Sequence, residues 1–145
     1  MLFLGGSMSN KVVHVAVGVI VRGQQILLAL RSSKQHQGGK WEFPGGKVES
    51  GETVPQALAR ELLEEVAIEV TQSNAFMQLE YAYPEKTVLL DIYLVSAFNG
   101  EPHGREGQPL RWVDVNALDS IEFPDANQPI VERVQQYFAT QTIND

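Results

Sequence analysis

Cysteine is absent from this chain. Disulfides, thiolate nucleophiles and zinc–thiolate centres are thereby excluded, and the absence fits a reducing compartment, so a cytoplasmic location is expected. Basic residues are scarce: 11 Lys and Arg stand against 18 Asp and Glu, a formal net charge of −7. Nucleic acid and anionic membranes call for a basic face that this balance does not supply, so neither is expected as a partner. No apolar run is long enough to span a bilayer. The opening MLFLGG has neither the basic start nor the length of a signal peptide. Repeats and low-complexity tracts are lacking too. What remains is an ordinary composition, 43% hydrophobic and 20% charged over 145 residues. It suits one domain, read as residues 12–145 behind a flexible extension 1–11, and a monomer is expected.

Val12 to Val21 is a β-rich, nearly continuous apolar run, expected to be a strand buried on both faces. His14 within it reads as an edge or satisfied core residue. Gln25 to Leu30 is its expected hairpin partner across Arg22–Gln24. Arg31 ends that strand, and its guanidinium suits either a solvated strand end or a phosphate contact. His36 and the pair Gly38-Gly39 mark a surface loop. Trp41 to Phe43 reads as a short strand, with Pro44, Gly45 and Gly46 forcing a tight turn after it. Asn74–Tyr83 and Thr87–Phe98 read as two strands about a Pro84-Glu85-Lys86 turn, the second of them central in the sheet. Asp91 within that second strand has no evident role. Asn99 to Pro109 is a loop, a short strand follows through Asp114, Ala117 to Pro129 is a further loop, and Ile130 to Phe138 carries a helical apolar pattern.

The most informative stretch is Gly45 to Val70. Thr53 and Gln56 have capping-box spacing, and Pro55 is tolerated in a first helical turn. In the helix that follows, about 100° per residue places Glu61 and Glu65 within about 40° of each other, with Glu64 about 60° to the other side. Leu58, Ala59, Leu62 and Val66 fall on a neighbouring stripe that should bury. Three carboxylates on one face describe a solvated acidic stripe as readily as a cation site. Two neighbours favour the cation: Arg60, spaced to pair with and orient Glu64, and the glycine turn, which brings carbonyl oxygens near. Clustered hard oxygens suit Mg²⁺, with Mn²⁺ able to substitute.

The spacing of Gly46, Glu52, Arg60-Glu61-Leu62, Glu64-Glu65 and Ile68 resembles the signature of the Nudix family of Mg²⁺-dependent hydrolases. One position departs: Ala67 stands where the family usually has glycine. WEFPGGK, GEPHGREGQP, FPDANQP and VAVGVI narrow the resemblance to the MutT-like group. The resemblance implies an α/β fold, a mixed β-sheet sandwiched between α-helices. It also implies hydrolysis of 8-oxo-dGTP to 8-oxo-dGMP and pyrophosphate, which sanitises the nucleotide pool. It assigns Glu61, Glu64, Glu65, the Gly45 carbonyl and Glu106 to metal and Arg31 to substrate. Phe43 would line the base pocket and Asn127 would read the base. Lys86 stands where the group has an arginine beside the base; it keeps the charge and loses the planar fork. Either Glu61 or Glu106 would accept the proton of the attacking water. The box alone also admits another nucleotide substrate, such as a cytidine nucleotide, a pterin triphosphate or a nucleotide sugar. A non-catalytic recognition module would be expected to have lost box glutamates, and this chain keeps them.

Overall fold

The computed structural model describes residues 11–34 and 38–144. The expected extension, apart from Lys11, lies outside the described residues, as does His36. Lys11 itself already opens a strand.

Seven strands form one mixed sheet: β1 Lys11–Arg22, β2 Gln25–Leu30, β3 Trp41–Glu42, β4 Gly45–Lys47, β5 Glu69–Ala82, β6 Lys86–Asn99 and β7 Leu110–Asp114. Helix α1 spans Val54–Val66 and helix α2 spans Gln128–Asn144. Strand β1 is the hub. One edge runs parallel to β6 from Lys11↔Lys86 to Ile20↔Val95. Its other edge takes β4 antiparallel at Val15–Val17, then β2 in a hairpin at Val21 and Arg22. Strand β2 pairs with β3 and β7, and β6 pairs with β5, which closes that side of the sheet.

Side chains of a strand alternate between faces, and β1 uses the alternation to seed two cores. Val17 and Val19 enter one with Ile26, Leu28, Ile92, Ile130 and Val134 under α2. Ala16 and Ile20 enter the other with Leu27, Leu58, Leu62, Val66 and Val95 under α1. The buried stripe of α1 is Ala57, Leu58, Leu62 and Val66, so Ala57 takes the place expected of Ala59. Each of the two fully buried leucines contributes roughly 1.5–3 kcal/mol of transfer free energy. Burial on both faces holds for Ala16–Ile20 only; Val12 is 62% exposed. His14 Nε2 lies 2.5 Å from Asp91 Oδ2 on β6, and Gln78 donates to the other Asp91 oxygen. The two polar residues inside apolar strands thus satisfy each other.

Four expectations need correction. Gly45 and Gly46 are not a tight turn but the strand β4, extended against β1. Strand β5 begins at Glu69 rather than Asn74, because Ala67 turns the chain straight out of α1; its TQSN start is polar because β5 is an edge with one face in water. Its register shifts three times against β6, which blurs the alternation further. The stretch 117–129 is not simply a loop: 3₁₀ turns at Val115–Ser120 and Asp125–Asn127 bury Leu118 and Ala126, with Phe123 buried between them. Finally, α2 exceeds its expected bounds at both ends.

Candidate active site

Helix α1 is fixed at both ends. At its start the Thr53 hydroxyl accepts from the Gln56 N–H while the Gln56 side chain accepts from the Thr53 N–H, the capping box expected from the spacing. Such a cap is worth about 1 kcal/mol. At its end Ala67 adopts φ 63°, ψ 30°, and its N–H returns to the Leu62 carbonyl. The loop after β6 completes that end. His103 N–H donates to Val66 O, and Arg105 N–H and the Gln108 side chain both donate to Glu65 O. These partners satisfy helix carbonyls that would otherwise lack donors.

Arg60 is the hub of the helix surface, though not with the partner its spacing suggests. Its Nε and Nη2 grip the two Glu52 oxygens at 2.6 and 2.9 Å, and Nη2 also donates to the Lys47 carbonyl on β4 at 3.1 Å. Nη1 donates to Glu61 at 2.9 Å and reaches Glu64 at only 3.4 Å. All five guanidinium N–H groups are thereby employed. The bidentate grip holds the Glu52 carboxyl down to about 2. Arg60 therefore orients Glu61 and ties the helix to β4, while Glu64 stays largely in solvent.

The Glu61 and Glu65 carboxyls meet. Burial, then the charge and hydrogen bond of Glu61, then the charges of Glu42 and Glu106, push Glu65 up to about 8. Gly46 on β4 sets the Glu61 position, since a Cβ there would fall 2.1 Å from the Glu61 carboxyl carbon. Gly45 is tight for another reason: its Cβ would fall 2.1 Å from the Ala16 carbonyl oxygen on β1. Among the described residues no three acidic or histidine side chains converge into a closed ligand set. The chemistry of the donors nevertheless fits a hard divalent cation: crowded carboxylates, one forced to keep its proton, beside a strand held within reach of Glu61.

Beside this group lies a cavity of about 340 Å³, within the size range of small-molecule sites. Arg31, Phe43, Gly45, Glu65, Lys86 and Asn127 all line it, so six of the residues singled out from sequence share one space. Glu65 and Gly45 join it to the carboxylate group. Phe43 stacks on Phe123 with ring centroids 5.3 Å apart. Arg31 is not a solvated strand end: its Nη1 pairs with Glu42 at 2.7 Å inside the cavity. Burial raises the Glu42 carboxyl against the pull of Arg31. The Asn127 side chain has no hydrogen-bond partner among the described residues, and so does not cap α2. Sequence reasoning gave no role to Glu42, Gln108 or the cavity-lining Tyr83, and named Glu52 only as a position of the signature. Glu42 sits in the WEFPGGK segment and Gln108 in the loop segment, so both were visible as motif members without a contact to explain them.

Residues 16–133 match the model of the NUDIX domain. The chain belongs to the Nudix family. It is a Nudix hydrolase, an enzyme of pyrophosphate bonds. The 8-oxo-dGTP diphosphatase of Escherichia coli (strain K12) is 40% identical over 127 residues, 87% of this chain and 98% of that protein. The CTP pyrophosphohydrolase of the same strain is 35% identical over 84% of this chain and 90% of its own length. A solved MutT, from work on the Aliivibrio salmonicida and Vibrio cholerae proteins, superposes with a TM-score of 0.79 at 42% identity, covering 88% of this chain and 99% of that one. The mixed sheet between helices expected from the sequence is thus the Nudix fold. Among the described residues no helix is long and apolar enough to cross a membrane.

Proposed function

We propose that this Nudix hydrolase converts 8-oxo-dGTP to 8-oxo-dGMP and pyrophosphate, in the cytoplasm and as a monomer, and so clears an oxidised nucleotide from the pool. The observation that carries the reading is the single cavity that joins Asn127 and Phe43 to Glu65 and Gly45. A base held at one side leaves its triphosphate beside the carboxylates. Glu61, Glu64, Glu65, Glu106 and the Gly45 carbonyl would hold Mg²⁺ or Mn²⁺. When bound, the cation neutralises the phosphates and makes water a better nucleophile.

The remaining work falls to the chain itself. Arg31, steadied by Glu42, presents guanidinium N–H groups to phosphate oxygens. Glu61 or Glu106 takes the proton of the attacking water. Arg60 holds Glu61 in position through its Nη1. Phe43, backed by its stacked partner Phe123, supplies an apolar wall for the base. Lys86 puts a point charge in the same cavity.

Asn127 supplies the discrimination. Oxidation at C8 turns guanine N7 from an acceptor into an N–H donor and leaves O6 an acceptor. An asparagine amide accepts from the first and donates to the second. Unoxidised guanine would set its N7 lone pair against the amide oxygen, which disfavours it. One neutral hydrogen bond is worth about 1 kcal/mol. With two such bonds lost, Asn127→Ala should lower kcat/KM for 8-oxo-dGTP by about 30-fold and leave that for dGTP nearly unchanged. The check is a kinetic panel of oxidised and normal purine and cytidine triphosphates with Mg²⁺, scoring pyrophosphate against phosphate. Equal losses on both guanine substrates, or a preference for CTP, would remove the guanine assignment.

A further inference from the structure

Gln108 lies outside the residues assigned above, yet its side chain makes two directed contacts within the site. Its Nε2 donates to the Glu65 carbonyl at 3.1 Å, and its Oε1 accepts from the Glu106 N–H at 2.9 Å. One amide thus bridges the backbones of two acidic residues that come from different elements, Glu65 near the end of α1 and Glu106 in the loop between β6 and β7. Neighbouring backbone contacts point the same way, since Arg105 N–H donates to that same Glu65 carbonyl and His103 N–H to Val66 O. Among the described residues only Gln108 hydrogen-bonds Glu106 itself; the backbone bonds stop at Arg105 and at Gly107, whose N–H goes to Gly104 O.

We propose that Gln108 is a positioning residue for the hydrolytic reaction, fixing Glu106 against the end of α1 so that Glu65 and Glu106 act on one cation together. The inference rests on the reading that both carboxylates serve the metal. Glutamine suits the task because a single side chain supplies one donor and one acceptor in a fixed plane. Asparagine is one methylene shorter, and glutamate would turn an oxygen toward the Glu65 carbonyl.

The test compares the full-length protein with Gln108→Met, which keeps length and bulk and loses both hydrogen bonds, and with Gln108→Glu, which keeps the acceptor alone. Three readouts are taken: free Mn²⁺ by electron paramagnetic resonance without nucleotide, exchange of the Glu106 amide proton by NMR, and kcat and KM at saturating Mg²⁺. In Gln108→Met, Mn²⁺ affinity and kcat should each fall about 10–100-fold, as is usual when a group that orients a metal ligand is lost. KM should stay within about twofold, and the Glu106 amide should exchange at least about tenfold faster. Gln108→Glu should retain most amide protection. In the Glu106→Gln background, Gln108→Met should add little, because the two act as a unit.

Wild-type Mn²⁺ affinity and kcat in Gln108→Met, while Glu106→Gln is impaired, would overturn the proposal. So would a full Gln108→Met loss that persists in the Glu106→Gln background. Wild-type behaviour of Glu106→Gln would instead remove the metal role of Glu106 on which the proposal rests. A wrong nucleotide assignment leaves the Mn²⁺ and exchange measurements intact, so the two failures are separable.

Discussion

Gly45 and Gly46 stand side by side and are constrained by different neighbours. A methyl at Gly45 meets the Ala16 carbonyl, which is main chain of the central strand and has nowhere to go. A methyl at Gly46 meets the end of the Glu61 side chain, which can swing aside. Gly45→Ala should therefore destabilise the fold by about 3 kcal/mol through overpacking. Gly46→Ala should melt within about 2 °C of the parent yet lose about 100-fold in kcat, since a displacement on the order of 1 Å at a reacting group has that effect. Thermal melts and steady-state kinetics on the two variants give the answer. Similar melting and similar kcat in both would mean that Gly46 does not place Glu61.

The end of helix α1 shows what a single departure from a family pattern does. Ala67 occupies the left-handed region, at about 1–2 kcal/mol for a residue with a Cβ. Glycine would relieve that strain while adding about 0.5–1 kcal/mol of chain entropy to the unfolded state. Ala67→Gly should thus stabilise by about 0.5–1 kcal/mol and raise the melting midpoint by about 2–4 °C, with turnover unchanged. A midpoint at or below the parent value would show that the loop contacts at Val66 and Glu65 already absorb the strain. The left-handed ending was not legible, since alanine stands where glycine would have announced it; the capping box, the carboxylate face and six of the seven strands were. What escaped was information that resides in pairing rather than in pattern. Strand β4 is too short and too glycine-rich to show alternation, and exists only because β1 lies beside it. The start of β5 is polar because it is an edge. The Arg60 partner eight residues upstream, Glu52, lies before the helix, where helical spacing says nothing. In the site, residue types and positions could be read in advance, but the Arg31–Glu42 pair and the Gln108 bridge depend on where loops come to rest.

For the molecule as a whole, acidic crowding makes stability depend on pH and metal together. Glu65 in the folded chain keeps its proton up to about 8, whereas the unfolded chain releases it near 4.5. Between those values the folded state binds more protons, so stability falls as pH rises. Glu52 acts in the opposite sense: held at about 2 by Arg60, its contribution is present above about 4.5 and fades as pH falls toward 2. Metal-free protein should therefore be most stable near pH 4.5 and weaken on both sides. Under the proposed function the ionised carboxylates would bind Mg²⁺, which should abolish the loss on the alkaline side, and Glu65→Gln should flatten it without metal. Melting curves from about pH 3 to pH 9, in chelator and in Mg²⁺, test this; an alkaline limb unchanged by either treatment would contradict it. The parallel pairing of β1 with β6 carries a different consequence, one of timing. Its partners lie roughly 75 residues apart in the chain. During synthesis at about 5–20 residues per second, β1 waits on the order of 4–15 s for the strand that covers its edge. Through that interval an apolar strand is unprotected, so ribosome-bound chains stalled before Lys86 should be the species that chaperones capture and that aggregate when chaperones are scarce.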